Sequence, residues 1–238
     1  MSEVSADRSA AVLATGELEI HGRIADSSNT TLLVTARLDG DELLAVYKPE
    51  RGERPLWDFP PGLWRREVAA YELDALLGTG CVPLTVARDD PDYGPGSVQR
   101  WVHEEGVEHY LTLRDQRQFA EWFRSLAVLD VVANNTDRKS GHVLLEEGRC
   151  WAIDNGLCFH VDDKLRTVIW EFAGDAVTPA LLERLEAIAS GGVEVLRGLL
   201  APEEVAATQR RAGELAEAGV LPEPDETGHY PPWPWPIV

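Results

Sequence analysis

Two acidic turns, each set between apolar runs, constrain this chain more than anything else in it. The first is Asn134-Asn135-Thr136-Asp137-Arg138-Lys139-Ser140-Gly141-His142, delivered by the apolar run Leu126 to Ala133. The second is Ile153-Asp154-Asn155-Gly156, and Val143-Leu144-Leu145 and Trp151-Ala152-Ile153 lie between the two. Upstream, Phe119, Trp122, Phe123, Leu126, Leu129 and Val132 recur at helical spacing, which predicts an amphipathic helix over Asp115 to Asn134 feeding the first turn. A β-hairpin then separates the two aspartates. Such a pair suits phosphoryl transfer: one carboxylate faces an acceptor hydroxyl, and the second holds a metal on the nucleotide phosphates. A lysine on an earlier strand completes the set, and Val46-Tyr47-Lys48-Pro49 supplies one.

The rest of the pattern gives these turns a setting. From Glu17 to Lys48 the spaced apolar residues and the Asp39-Gly40-Asp41 turn predict a three-stranded antiparallel meander. A Pro- and Gly-punctuated loop follows from Arg51 to Gly62, and then a helix over Leu63 to Leu77 that Gly78 and Gly80 end. Pro83 to Ala87 and Gly96 to Val102 read as two further strands. After Phe159 the pattern is helical around Pro179 to Ser190, Val193 to Leu200 and Pro202 to Ala218. The expected fold class is α+β and bilobal: an N-terminal antiparallel sheet lobe with one main helix, then a mostly helical C-terminal lobe. The expected divisions are a loose arm over 1–14, an N-lobe over 15–102, a C-lobe over 103–221 and a Pro/Trp-rich tail over 222–238. The tail is expected to dock as an extended segment, because Trp233, Trp235 and Ile237 are costly to leave in water. The alternative is a proline-rich ligand for a protein partner.

Charge narrows the partners. Forty-one acidic against 22 basic residues leave a net charge of −19. Such a surface repels phosphate backbones and anionic headgroups, which argues against nucleic acid and against stable membrane association. No apolar run reaches transmembrane length, and the acidic N-terminus does not read as a signal peptide. Cys81, Cys150 and Cys158 are an odd set without metal-ligand spacing, so a cytoplasmic location is expected.

Four segments together resemble the phosphatidylinositol 3- and 4-kinase superfamily. They are Tyr47-Lys48-Pro49; Glu67-Val68-Ala69-Ala70-Tyr71-Glu72-Leu73-Asp74; Gly96-Ser97-Val98-Gln99; and Leu129-Asp130 through Asn135-Thr136-Asp137-Arg138 to Ile153-Asp154-Asn155-Gly156-Leu157. They occur in order over about residues 17–172. The type II phosphatidylinositol 4-kinases are the nearest branch, and actinobacterial kinase-like proteins of this type look most similar. The resemblance implies an ATP-dependent kinase acting on a hydroxyl of a lipid, a small molecule or a protein Ser/Thr. It implies that Lys48 grips the α- and β-phosphates, and that Glu67 pairs with Lys48 and holds it extended. Gln99 to Val102 would be the interlobe hinge, with backbone groups near Trp101 and Val102 on the adenine edge and the Trp101 ring lining the pocket. Asp137 would orient or deprotonate the acceptor. Arg138 would neutralise the crowded acids or support the catalytic loop. Asp154 would bind the divalent cation, Mg2+ or Mn2+, while Asp130 is structural.

Two departures from the family pattern bear on activity. His142 stands where the family has a metal-binding asparagine, and imidazole suits manganese better than magnesium. Either the metal preference differs, or His142 has another task, or transfer is impaired. No phosphate-binding glycine loop is evident. Gly22 and the Ser27-Ser28-Asn29-Thr30-Thr31 turn lie where one belongs, and there Ser28 and its neighbours either cover the phosphates or form a plain hairpin. The rival reading is a pseudokinase, a nucleotide-binding regulatory or scaffold module without transfer.

Overall fold

Alternating inward and outward residues and tight polar turns fold the first half of the chain into one sheet. The computed structural model describes residues 5–25, 29–227 and 230–237. Strands β1 (Glu17–Arg23), β2 (Leu32–Leu38) and β3 (Asp41–Pro49) form the expected meander, with Asp39 and Gly40 both at positive φ in the β2–β3 turn. Strand β5 (Gly94–Arg100) pairs antiparallel with β3, and β4 (Thr85–Asp90) lies outside β5, so the order is β1-β2-β3-β5-β4. Lys48 stands opposite Ser97 and Tyr47 opposite Val98.

The first residues correct the sequence reading. In place of a loose arm, Ala6–Thr15 form helix α1, capped by the Ser5 side chain, which accepts from the Arg8 N–H. Its Val12 and Leu13 are buried with Val34, Ala36, Ala45, Tyr47 and Val98 in a core beneath the sheet.

Helix α2 (Leu63–Leu77) ends at Gly78, whose positive φ lets its N–H reach the Asp74 and Ala75 carbonyls. Its Ala69, Ala70, Leu73 and Leu77 belong to the larger core. Helix α3 (Tyr110–Leu113), helix α4 (Ala120–Ala133), helix α5 (Pro179–Ala189) and helix α6 (Pro202–Ala218) supply about half of the rest, and strands and loops the remainder. Burying each such Leu or Phe contributes roughly 1.5–3 kcal/mol, and Phe123, Leu126, Leu129, Leu185 and Ile188 are all essentially inaccessible. Because α2 packs into this core, it is fixed against the C-terminal half while its N-terminal turn faces β3.

Elsewhere the elements are shorter than expected. Helix α4 begins at Ala120, after a single 3-10 turn at Arg117–Phe119, and Val193 to Leu200 yields only a 3-10 turn at Glu194–Leu196. Strands β6 (Val143–Glu146) and β7 (Arg149–Ala152) form the hairpin between the two acidic turns. The tail docks: the Pro232 carbonyl accepts from the Thr167 N–H at 3.0 Å, and the Ile237 carbonyl accepts from the Ser140 N–H at 2.8 Å. The architecture is the α+β, bilobal one, with the cleft between the sheet lobe and the helical lobe. No helix among the described residues is long and apolar enough to cross a membrane.

Candidate active site

Lys48, near the end of β3, reaches across the cleft. Its ammonium forms an ion pair with Glu67 of α2 and a second with Asp154 at 2.8 Å. Glu67 is buried, and its other oxygen accepts from the Asn155 N–H at 2.9 Å. One carboxylate thus ties the strand lysine to the second acidic turn. Gly156 lies close beneath it, and a Cβ there would come within 3.3 Å of the Glu67 carboxylate. Burial alone would lower the Lys48 ammonium, but Asp154 and Glu67 outweigh it and hold the lysine above its ordinary value. Lys48 in turn holds the Asp154 carboxyl well below the usual carboxylate range. Asp154 sits at φ +57°, a left-handed conformation that short polar residues tolerate best.

Arg138 is fully buried and anchors both turns at once. Its guanidinium donates to Asp130 (Nε at 3.0 Å, Nη2 at 3.0 Å), to the Asn155 side-chain oxygen at 2.6 Å and to the Ile153 carbonyl at 2.9 Å. Asp130 also accepts from Asn135 Nδ2 at 3.0 Å. Arg138 therefore does not face the cleft. Of the two tasks expected for it, loop support is the one its position serves. Asp137, by contrast, faces outward beside Lys139 at 3.1 Å, and its N–H is held by the Asn135 side chain at 3.0 Å. Burial raises the Asp137 carboxyl, while Lys139 opposes the rise.

His142 lies against the second aspartate, with Nε2 3.5 Å from Asp154 Oδ2. Burial pushes its imidazole down to about 4, so the ring is neutral at pH 7. Its Nδ1 accepts from the Lys139 N–H at 3.4 Å, which puts the ring proton on Nε2, aimed at Asp154. In that tautomer the His142 N–H lies next to Asp154 without a hydrogen bond to it. Serving as a metal ligand through Nε2 would require moving the proton to Nδ1 and giving up the Lys139 contact. No group of three or more His, Cys, Asp or Glu among the described residues is arranged to hold a metal alone. The half-exposed Asp154 carboxylate would suit one oxygen ligand of a hard cation.

The hinge is partly committed. The Trp101 N–H donates to the Leu44 carbonyl at 2.9 Å, so it is spent within the sheet. Gln99 is likewise turned into the sheet, its amide donating to the Thr85 hydroxyl at 2.8 Å. The buried Val102 has neither its N–H nor its C=O hydrogen-bonded among the described residues. Ser28 lies outside the described residues. In the same loop, Asn29 accepts from the Arg54 N–H at 2.9 Å and the Thr30 N–H donates to the Gly52 carbonyl at 2.9 Å. Sequence reasoning passed over Lys139 and Asn155. The scarcity of lysine is a signal for the first, since Lys48, Lys139 and Lys164 are the chain's three.

The chain is 39% identical over 264 aligned positions to protein Rv2133c of Mycobacterium tuberculosis (strain ATCC 25618 / H37Rv), with 94% of each chain covered. It belongs to the same family as Rv2133c. No family model matches the sequence. Among solved structures, the fold is similar to the Golgi casein kinase with Mn and ADP bound (TM-score 0.59, 16% identity, 98% of this chain and 80% of that one). It is also similar to hydra Fam20 with sugar (TM-score 0.57, 14% identity, 91% and 88%) and to the Helicobacter pylori proinflammatory kinase CtkA (TM-score 0.50, 11% identity, 88% and 94%). At such identities the likeness is one of fold, and the fold is protein-kinase-like.

Proposed function

We propose that this protein is an ATP-dependent phosphotransferase that moves the γ-phosphoryl of ATP to a hydroxyl. The observation that carries this reading is the bridge from Lys48 to both Glu67 and Asp154, residues from three separate elements that meet at one ammonium. Such a lysine is placed to share its charge with the α- and β-phosphates. Asp154 would hold Mg2+ or Mn2+, which supplies charge neutralisation at the β- and γ-phosphates, and His142 would keep the Asp154 carboxylate oriented. Val102 would take the adenine edge and Trp101 line its pocket. Asp137 would align the acceptor hydroxyl and receive its proton as the new P–O bond forms and the bond to the β–γ bridging oxygen breaks, leaving ADP and a phosphoester. Arg138 positions both aspartates through the backbone and Asn155.

The finer assignment, to the phosphatidylinositol 3- and 4-kinase-like type, rests on the order of the four matched segments. The kinase names of the fold neighbours support phosphotransfer in general. We place the protein in the cytoplasm, on its three free, buried cysteines, with the lobes dividing after residue 102. One test is calorimetric titration of ATP with Mg2+ and with Mn2+ into the wild type and Asp154→Asn. Asp154 is half exposed, so the variant should fold, lose metal-dependent nucleotide binding and lose turnover. Retained turnover would overturn the assignment.

A pseudokinase is the second reading, favoured by His142 at the asparagine position. His142→Asn separates the two: magnesium-dependent transfer gained by the variant and absent from the wild type would mean that the natural protein binds nucleotide without transfer.

A further inference from the structure

Beside Asp137 lies a segment with no role in the site described so far. Residues 164–168 run alongside the first acidic turn. The Arg166 N–H donates to the Asn135 carbonyl at 2.9 Å, the Arg166 carbonyl accepts from the Arg138 N–H at 3.0 Å, and Arg138 and Thr167 form a parallel bridge. Arg138 and Thr167 both turn inward to Asp130. The neighbours of this pair, Asp137 and Arg166, stand on adjacent backbone segments, and both are partly exposed.

Arg166 takes part in no ion pair among the described residues, and its Nε is buried with no hydrogen-bond partner. Its guanidinium lies against the Tyr230 ring, 5.4 Å from the centroid, so the docked tail forms one wall of this face. Lys139 is the second cation here, shared with Asp137. The remaining charges of the segment are matched: Lys164 with Asp58 at 3.3 Å, and Asp163 with Arg210 at 2.8 Å. In a chain of net charge −19, the acceptor side of Asp137 therefore carries one carboxylate and two cations, one of them without a partner.

We infer that Arg166, with Lys139, forms an anion subsite beside Asp137 and that the acceptor is a small, water-soluble alcohol carrying a phosphate group. This deepens the phosphotransferase reading and rests on it. Arginine presents a planar fork of donors that matches phosphate oxygens, and no carboxylate among the described residues engages the fork of Arg166. The strongly acidic surface disfavours approach to an anionic bilayer, whereas a small solute reaches the two cations on the acceptor side of Asp137 without that repulsion.

The test uses the full chain with ADP and Mn2+, titrated calorimetrically with sn-glycerol 3-phosphate, inorganic phosphate and glycerol, and separately with phosphatidylglycerol vesicles. The expected result is saturable binding of glycerol 3-phosphate and phosphate, none of glycerol, and at least a roughly tenfold loss of affinity in Arg166→Ala. Arg166→Lys should fall between the two, and it decides the matter where Arg166→Ala fails to fold. Wild-type protein that binds ADP and neither phosphate compound overturns this inference alone, and wild type that binds no ADP overturns the phosphotransferase reading. Equal phosphate affinity in wild type and both variants, or Arg166-dependent binding of the vesicles only, also overturns it.

Discussion

Replacing Arg138 with methionine isolates the charge that holds the two acidic turns together. The substitution keeps most of the side-chain volume and removes the guanidinium. Asp130 would then be left with 1% of its side chain exposed, two hydrogen bonds from Asn135 at 3.0 Å and Thr167 at 3.4 Å, and no cation. Breaking a buried pair from one side costs about 3–5 kcal/mol, because the remaining charge stays desolvated. For a domain of this size each kcal/mol shifts Tm by about 2–4 °C, so Arg138→Met should melt roughly 6–20 °C below the wild type. The double variant Asp130→Leu/Arg138→Met removes the orphaned charge and should recover more than half of that loss. Urea unfolding followed by circular dichroism, with matched thermal scans, measures both. A single variant costing under about 1 kcal/mol, or a double variant no more stable than the single, would refute the account of Arg138 as the anchor of the two turns.

Three further expectations rest on separate contacts. Lys48→Ala should weaken ATP binding by about tenfold to a hundredfold, the worth of a charge-assisted hydrogen bond to phosphate, as read by calorimetry. Gly96→Ala should destabilise by about 1–3 kcal/mol in denaturant titration, since a Cβ there would come within 2.5 Å of the Lys48 carbonyl and 2.6 Å of the Tyr47 ring. Asp90 is nearly buried. Burial raises its carboxyl, but the Asp92 and Tyr93 amides and Arg88 more than offset that and leave it lowered. Its contribution is therefore complete above the unfolded value of about 3.9 and lost as pH falls below it. Asp90→Asn should be less stable than wild type at pH 7, and stability curves against pH should converge below about pH 4.

The sheet and its order relative to α2 were legible because each strand carries its own alternation and each helix its own period, so local pattern and tertiary outcome agree. The pairing of Lys48 with Glu67 was legible through the family resemblance, which places a lysine strand just before an acidic helix start. Helix α1 was not, because Ala6–Thr15 has a weak pattern, and its helicity depends on burying Val12 and Leu13 against a sheet that forms from later residues. Arg138 shows the same limit within the site. Two tasks were open from sequence, and the choice depends on where the guanidinium points, which Asp130 and Asn155 decide through contacts of eight and 17 residues' separation. The commitment of Gln99 to Thr85, and of the Trp101 N–H to Leu44, follows from strand pairing and carries no signature in the residues themselves. Arg166 is marked only by lacking a partner, a property that exists once every other charge nearby has been matched.

The charges assembled in the cleft make nucleotide binding depend on a cation. On the nucleotide side Glu67 and Asp154 contribute two negative charges against the one positive charge of Lys48, His142 is neutral, and the Arg138–Asp130 and Lys139–Asp137 pairs each cancel. The cleft facing the phosphates is thus net negative before a highly charged anion enters, within a protein of net charge −19. Lys48 is already engaged by two carboxylates, so its attraction for phosphate is partly spent. At physiological ionic strength the Debye length of about 8 Å leaves charges within one site largely unscreened. A divalent cation held by Asp154 would reverse the sign of the local field. ATP affinity in the presence of chelator should therefore fall at least about thirtyfold below that with Mn2+, on the basis of roughly 2–5 kcal/mol for leaving such charges uncompensated. Raising the salt concentration should narrow the gap by screening the metal-free repulsion. Equal affinities with and without the cation would mean that Asp154 faces no phosphate, and the assignment of the second acidic turn would fall with it.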